Sequence, residues 1–299
     1  MDSIVLINHV TKTFKNKHAV NQVTFSIKKG ETVAILGPNG AGKTTTMMMM
    51  LGLLEPTSGE VRLFNSHPRE KKIRERIGAM LQEVSVIDAL KVKEIIQLFR
   101  SYYPNPMSFE ELVTFTGLSE DDLKRRANKL SGGQKRRLGF ALALAGDPDL
   151  VFLDEPTVGL DITSRKLFWR TIGELKTRGK TIIFTTHYLQ EADDVADRII
   201  LFNDGTIVED GTPSEIKGKL SKQSVSFIAG EEISIYELTQ LPNVSDVYKK
   251  EDRIYVVTDH TDNTLAALFD RKFKISGIQI EQGRLDEAFE QLTENREAI

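Results

Sequence analysis

Short apolar segments recur along the chain in two patterns. Alternating apolar and polar positions in Ile4–Ile7 and Val23–Ile27 are typical of paired antiparallel strands. The continuous apolar run Thr32–Leu36 has instead the character of a strand buried on both faces, and Leu150–Leu153 and Thr181–Thr185 repeat it between helical stretches. This order predicts an α/β fold in which helices cover a mostly parallel core sheet, beside an antiparallel β subdomain.

Helical periodicity marks two segments in the middle of the chain, Val92–Tyr102 and Gln134–Ala145, and Pro104-Asn105-Pro106 interrupts the region between them. We therefore expect a helical subdomain at about residues 88–130. Four consecutive methionines, 47–50, follow a glycine-rich loop, and helix packing is the simplest explanation for them.

The polar stretch that follows Gly211-Thr212-Pro213 predicts a boundary between two domains. We expect a first domain over residues 1–216, a linker over 217–223 and a small C-terminal α/β domain over 224–299. The last of these contains the predicted strands Ser224–Ala229, Arg253–Val257 and Lys274–Ile280 and the predicted helical segments Ile235–Leu241, Thr264–Phe269 and Leu285–Leu292.

Composition excludes several classes of function. A net charge of -3 gives no global basic field, so we expect no nucleic-acid partner. The absence of cysteine excludes disulfides, thiolate metal sites and cysteine nucleophiles. The first ten residues show no signal-peptide or lipidation pattern, and no window approaches the roughly 18 consecutive apolar residues of a membrane-spanning helix, so a membrane role requires a partner chain.

The first chemical motif lies between the buried strand and a predicted helix: Gly37-Pro38-Asn39-Gly40-Ala41-Gly42-Lys43-Thr44, followed by Thr45. It fits the pattern G-x-x-x-x-G-K-[ST] in the context that a phosphate-binding loop requires. Backbone N–H groups and the helix N-terminus would bind phosphate oxygens, Lys43 would reach the β- and γ-phosphates, and Thr44 would ligate Mg²⁺. The alternative is a glycine-rich turn without a ligand.

Two carboxylates end the apolar strand at residues 150–153, where burial of a charge is costly unless a cation lies nearby. Asp154 would bind Mg²⁺, and Glu155 would polarise the water that attacks the γ-phosphate. A simple helix cap is the alternative for this pair.

A second anion site is predicted where Leu130-Ser131-Gly132-Gly133-Gln134 precedes a helix with three cations, Lys135, Arg136 and Arg137. With this motif the chain resembles the ABC ATPase family over residues 3 to about 215. The resemblance implies that Ser131, Gly132, Gly133 and Gln134 complete the ATP site of an opposite subunit.

The same resemblance assigns roles to isolated residues that carry little signal alone. It implies that Phe14 stacks on adenine, that Gln82 senses Mg²⁺ and contacts a membrane partner, that Asp161 communicates across the dimer, and that His187 contacts the γ-phosphate. Phe14 replaces the commoner tyrosine, and Asn65 stands where the family usually has glycine in a turn. Phenylalanine keeps the aromatic face that stacks on adenine, and asparagine tolerates a left-handed backbone. Neither departure therefore threatens catalysis.

The single short cassette, the Gln82-Glu83 pair and the C-terminal residues 285–293 resemble bacterial exporter ATPases for drugs, antibiotics and sodium. This implies an ATP- and Mg²⁺-dependent ATPase that forms a dimer, at the cytoplasmic face of a bacterial membrane, bound to a separate transmembrane permease. The apolar-leaning segment 83–87 would receive the permease, with ordinary packing of the helical subdomain as the alternative. A soluble ATPase that remodels a cytoplasmic complex is the alternative, and the C-terminal domain is left open between regulation, dimerisation and a stabilising lid.

Overall fold

The computed structural model describes residues 3–82, 87, 89–220, 223–230 and 233–281. The chain divides into two units, of which the first ends at Gly211 and the second begins at Thr212. None of the helices in these described ranges is long and apolar enough to cross a lipid bilayer.

The first unit contains strands and helices in mixed order. Its strands are β1 (Ser3–Phe14), β2 (Lys17–Lys28), β3 (Thr32–Leu36), β4 (Ser58–Leu63), β5 (Ile77–Met80), β6 (Leu150–Asp154), β7 (Thr181–Thr185), β8 (Arg198–Asn203) and β9 (Thr206–Gly211). Its helices are α1 (Lys43–Met50), α2 (Lys71–Arg74), α3 (Val92–Ser101), α4 (Phe109–Thr116), α5 (Glu120–Lys124), α6 (Gly132–Ala143), α7 (Ile162–Thr177) and α8 (Leu189–Val195).

Two sheets form the framework of this unit, as the alternation and the apolar runs predicted. The antiparallel sheet has the order β2-β1-β4, and the core sheet has the order β5-β6-β7-β3-β8-β9. All neighbours in the core sheet are parallel except β9, which runs antiparallel to β8 at the edge. Because β3, β5, β6 and β7 are parallel, their carboxyl ends meet at one edge of the sheet, where polar groups from four loops converge.

The apolar core joins both sheets to α1. Met47, Met49 and Met50 are buried in the same cluster as Phe152 and Phe202, which confirms that the methionine run serves packing. Helices α3 to α5 lie within the range 88–130 predicted for the helical insert. Asn65 adopts a φ of 61°, the left-handed conformation expected of a residue that replaces glycine.

The second unit is a four-stranded antiparallel sheet with helices in its connections. It comprises α9 (Pro213–Leu220), β10 (Gln223–Ala229), α10 (Ile235–Thr239), β11 (Val244–Lys250), β12 (Arg253–Thr258), α11 (Thr261–Asp270) and β13 (Ile275–Glu281), with the strand order β11-β12-β10-β13. After α9, this β-α-β-β-α-β sequence and strand order match a ferredoxin-like arrangement. The helical segment predicted at Leu285–Leu292 lies outside the described residues.

Two features of the second unit differ from the sequence predictions. Helix α9 covers 217–220, so the predicted linker over 217–223 is wrong for those residues. Thr212 and Glu215 bond reciprocally, with Glu215 N to Thr212 Oγ1 at 3.2 Å and Thr212 N to Glu215 Oε2 at 2.8 Å, and Pro213 occupies the first helical position. This capping box and proline initiate a helix in a segment whose polar composition resembles a linker. Strand β11 was missed because its side chains are mostly exposed and Val247 alone is buried.

Candidate functional site

The glycine-rich loop connects β3 to α1 at the carboxyl edge of the core sheet. Gly37, Gly40 and Gly42 all have positive φ, and Gly42 is the N-cap residue of α1 with a φ of 100°. Asn39 and Gly40 are exposed at the tip of the loop, whereas Ala41 and Lys43 are buried. The loop therefore presents backbone N–H groups beside a helix N-terminus, which is the arrangement that binds phosphate.

A side chain at Gly42 would disturb this loop. A Cβ atom there would lie 2.4 Å from the carbonyl oxygen of Ala19 and would have to adopt the positive φ. We expect Gly42→Ala to destabilise the fold by about 1–3 kcal/mol in urea unfolding and to weaken ATP binding. Gly173→Ala is the control, because Gly173 lies in α7 with open space around it and alanine favours helix. Equal effects of both substitutions on stability would contradict this account.

Lys43 is a buried cation whose hydrogen bonds in the described residues go to backbone carbonyls of the glycine-rich loop. Its Nζ donates to the carbonyl oxygens of Gly37 at 2.7 Å and Pro38 at 3.0 Å. Burial lowers the pKa of Lys43, while the charges of Glu155 and Asp154 oppose that shift. Phosphate oxygens beside the loop would supply the compensating negative charge.

Asp154 is held between two hydroxyl groups at the end of β6. It is 1% exposed, accepts a hydrogen bond from Thr185 Oγ1 at 2.5 Å, and lies 3.3 Å from Thr44 Oγ1, which donates to it. A carboxylate and a threonine hydroxyl are hard oxygen ligands, so Asp154 and Thr44 fit Mg²⁺, and phosphate and water oxygens would supply its remaining ligands. Thr185, which the sequence analysis missed, orients the carboxylate from the neighbouring strand.

Glu155 and His187 meet across the ends of β6 and β7. The distance between His187 Nδ1 and Glu155 Oε2 is 2.7 Å, with the imidazole half exposed and the carboxylate mostly buried. Glu155 has a φ of 48°, a left-handed conformation that is uncommon for a residue with a side chain. Its backbone N–H donates to Thr185 Oγ1 at 2.9 Å, which fixes this strained position. Glu155 and His187, which are 32 positions apart in the sequence and were both predicted as site residues, are therefore in contact in the structure.

The segment Ser131–Gln134 begins α6 with a capping box. Ser131 Oγ accepts from Gln134 N at 3.2 Å, and Ser131 N donates to Gln134 Oε1 at 2.9 Å. Ser131 and Gly132 are exposed, and a Cβ atom at Gly132 would meet open space. In the described part of the chain, no hydrogen bond joins this segment to the glycine-rich loop.

Asp161 is the N-cap of α7. Its carboxylate accepts from Ser164 N at 2.8 Å and Ser164 Oγ at 2.9 Å, and these bonds, the backbone one first, lower the pKa of Asp161. Arg137 donates to the same Ser164 hydroxyl at 2.8 Å. Asp161 is therefore connected to α6, the helix that Ser131 begins.

Two other predicted residues lie at the edges of this arrangement. Phe14 ends β1 with 48% of its surface exposed and with the Lys12 ammonium 5.3 Å from its ring centroid. It pairs with Lys17 at the start of β2, and the carbonyl oxygen of Ala19 on that same strand lies against Gly42 of the loop. Gln82 follows β5 and is exposed, and its backbone carbonyl accepts a hydrogen bond from Arg136; residues 83–86 of the segment predicted to receive the permease lie outside the described residues.

Arg136 is a site residue whose contacts the sequence did not reveal. Its Nε donates to Pro156 O at 2.8 Å, its Nη1 donates to Gln82 O at 3.1 Å, and its Nη2 donates to Glu155 O. One guanidinium on α6 therefore joins the backbone after β5 to the turn after β6. Burial lowers the pKa of Arg136, an effect opposed by the charges of Glu155 and Asp154.

We expect Arg136→Met to destabilise the fold by about 2–3 kcal/mol, because several charge-assisted hydrogen bonds to backbone carbonyls are lost together. The measurement is urea unfolding followed by circular dichroism. Arg170→Met is the matched control: Arg170 is exposed and contacts only Glu174 at 3.9 Å among the ion pairs of the described residues, so its loss should change stability by less than about 0.5 kcal/mol. Similar decreases in the free energy of unfolding for both variants would contradict a stabilising role for the hydrogen bonds of Arg136.

Comparisons with known proteins agree with this geometry. A family model described as ABC transporter matches residues 20–158. A Nod factor export ATP-binding protein I from Burkholderia orbicola is 38% identical over 211 residues, which span 69% of each chain. A carnitine transport ATP-binding protein from Listeria monocytogenes is 36% identical over 249 residues, which span 80% of this chain and 63% of that protein.

Solved structures give the same result. A dimeric ATP-binding cassette in a post-hydrolysis state, bound to ADP and Pi, is 31% identical with a TM-score of 0.65, over 70% of this chain and 98% of that one. An ATP-binding subunit of an ABC transporter is 25% identical with a TM-score of 0.67, over 73% of this chain and 93% of that one. This protein therefore belongs to the ABC transporter family as an ATP-binding subunit that hydrolyses ATP to drive transport.

Proposed function

We propose that two cassettes associate head to tail around two ATP molecules, and that hydrolysis of this ATP powers export through a separate transmembrane permease. The observation that carries the proposal is the separation of two anion-binding elements within one chain. The loop Gly37–Thr44 contributes Lys43 and its N–H groups, whereas Ser131 and Gly132 are exposed and the segment Ser131–Gln134 has no hydrogen bond to that loop in the described ranges. A second chain would bring its own Ser131–Gln134 against the phosphates.

In this sandwich the first chain's residues bind and orient the nucleotide. Phe14 stacks on the adenine, Lys43 contacts the β- and γ-phosphates, and the N–H groups from Gly37 to Thr45 surround the phosphate oxygens. Asp154, Thr44 and Gln82 would hold Mg²⁺, and the ion would neutralise charge on the phosphate oxygens.

Hydrolysis requires a water molecule aligned with the γ-phosphorus. Glu155 Oε1 or Oε2 accepts a proton from this water as its oxygen bonds to phosphorus and the bond to the bridging oxygen of ADP breaks. His187 lies within hydrogen-bond distance of Glu155 and holds this carboxylate while contacting the γ-phosphate. Loss of the γ-phosphate removes the contacts that favour the closed dimer, so Asp161 and Ser131 separate from the opposite chain.

The direction of transport is inferred from a relative. The match with the Nod factor export protein covers 69% of each sequence. The match with the carnitine transport protein covers 80% of this chain but 63% of that protein. Export in a bacterial cell, with the cassette at the cytoplasmic face of the membrane, is therefore the direction we assign.

A pull-down tests this function. A tagged Glu155→Gln protein is incubated with ATP and Mg²⁺ in detergent-solubilised membranes of the source cell, and co-purifying proteins are identified by mass spectrometry. Recovery of a polytopic membrane protein supports the transporter assignment, whereas recovery of soluble complexes alone would favour an ATPase that remodels a cytoplasmic complex. Direction follows from proteoliposomes with cassettes on the outside, where external ATP should drive an exported compound inward.

A further inference from the structure

A buried carboxylate on α8 has no role in the chemistry described above. Glu191 is 7% exposed, and its Oε2 accepts hydrogen bonds from Thr157 Oγ1 at 2.9 Å and Thr186 Oγ1 at 3.0 Å. Its Oε1 lies 3.5 Å from Arg165 Nε, which supplies a nearby positive charge. Burial of an ionised carboxylate is costly in free energy. The two hydroxyl donors and the nearby guanidinium offset this cost for Glu191.

The groups around Glu191 come from three segments of the candidate site. Thr157 lies in the turn that follows Glu155, and Thr186 directly precedes His187. Both threonines are 1% exposed, so in the intact protein their hydroxyls donate to the buried carboxylate rather than to solvent. Arg165 lies in α7, the helix that begins after Asp161.

Further contacts extend from these groups to the histidine ring. Thr186 Oγ1 also accepts from Tyr188 N at 3.0 Å, so the residues on both sides of His187 are fixed through one hydroxyl. The Arg165 guanidinium lies 4.6 Å from the centroid of the Tyr188 ring, and that ring lies 4.2 Å from the imidazole. Loss of the Glu191 carboxylate would remove the hydrogen-bond acceptor of Thr186, which precedes His187. It would also remove the charge partner of Arg165, whose guanidinium lies over the Tyr188 ring.

We propose that Glu191 is a positioning residue that holds His187 at hydrogen-bond distance from Glu155. It acts through Thr186 on one side and Thr157 on the other. This inference rests on the proposed role of His187 in hydrolysis, and it adds a residue that none of the sequence motifs contained.

The test is a double-mutant cycle measured by steady-state ATP hydrolysis. Glu191→Ala should lower kcat by about 10- to 100-fold with less than a threefold change in KM for ATP, because misplacement of a group affects the reaction more than binding. In a His187→Ala background, the same Glu191→Ala change should lower kcat by less than about twofold, because the group that it positions is already absent. Glu191→Gln should recover part of the activity, since an amide oxygen still accepts from the two hydroxyls.

Two further variants separate positioning from folding. Thr186→Val is nearly isosteric and should show the same dependence on His187 even where Glu191→Ala folds poorly. Glu174→Ala removes an exposed carboxylate that pairs with Arg170 on α7 and should leave kcat unchanged. A Glu191→Ala protein with a lowered melting temperature but normal kcat would overturn the inference, as would equal losses with and without His187. A His187→Ala protein with normal kcat would instead reject the assigned role of His187 and the inference with it.

Discussion

Glu155→Gln lowers the ATP hydrolysis rate by roughly 10²- to 10⁴-fold, the range expected when a general base is lost. The substitution preserves size and hydrogen bonding but removes the negative charge that accepts the proton from water. His187 Nδ1, which is 2.7 Å from the carboxylate, retains an oxygen partner in the amide, so the local geometry should persist. The rate is measured by phosphate release, with Glu174→Gln as an exposed control on α7.

Because binding is preserved while hydrolysis is blocked, the Glu155→Gln protein should also form a stable dimer with ATP and Mg²⁺. One chain has a mass of 33.6 kDa. Light scattering after size-exclusion chromatography should report twice this mass with ATP and Mg²⁺, and the mass of a single chain with ADP. A fully active Glu155→Gln protein would show that another group accepts the proton.

Lys43→Met removes most of the affinity for ATP. The ammonium is replaced by an apolar chain of similar length, and loss of a buried charge partner of phosphate costs about 2–4 kcal/mol, or roughly 30- to 1,000-fold in Kd. Since burial lowers the pKa of Lys43, its charged form is disfavoured in the nucleotide-free fold, and the variant should melt close to or above the wild type without ATP. Thermal unfolding with increasing ATP should raise the melting temperature of the wild type and leave that of the variant unchanged.

Lys71→Met is the matched control for this experiment. The Lys71 side chain is 92% exposed and contacts Glu75 at 3.8 Å, so its replacement should leave the ATP-dependent rise intact. A Lys43→Met protein that still gains the full thermal shift would contradict the position assigned to the phosphates.

The parts of the site that the sequence predicted lie where a strand ends and a loop begins. Asp154 and His187 follow buried apolar runs, and parallel strands bring their ends to one edge, so alternation and motif spacing were sufficient to place them together. The capping role of Ser131 was likewise visible, because Gln134 stands three residues later.

The residues that the sequence did not reveal have partners far along the chain. Arg136 bonds to Gln82 54 residues earlier, and Glu191 bonds to Thr157 34 residues earlier. Neither position breaks a local pattern: an arginine in a basic helix and a glutamate in an acidic one are ordinary surface residues by composition. Their roles arise only from packing between elements. Helix α9 shows the opposite case, since its capping box was present in the sequence but polar composition favoured a linker.

A mixing experiment tests most directly whether one site is built from two chains. The Lys43→Met protein and the Ser131→Arg protein are purified separately. A homodimer of either variant has two defective sites, because every site needs an intact glycine-rich loop from one chain and an intact Ser131–Gln134 segment from the other. Head-to-tail pairing predicts that an equimolar mixture contains heterodimers with one intact site, formed by the loop of the Ser131→Arg chain and the segment of the Lys43→Met chain. ATP hydrolysis by the mixture should then rise well above the mean of the two proteins alone. Activity that stays at that mean would contradict the shared site and place the reaction within a single chain.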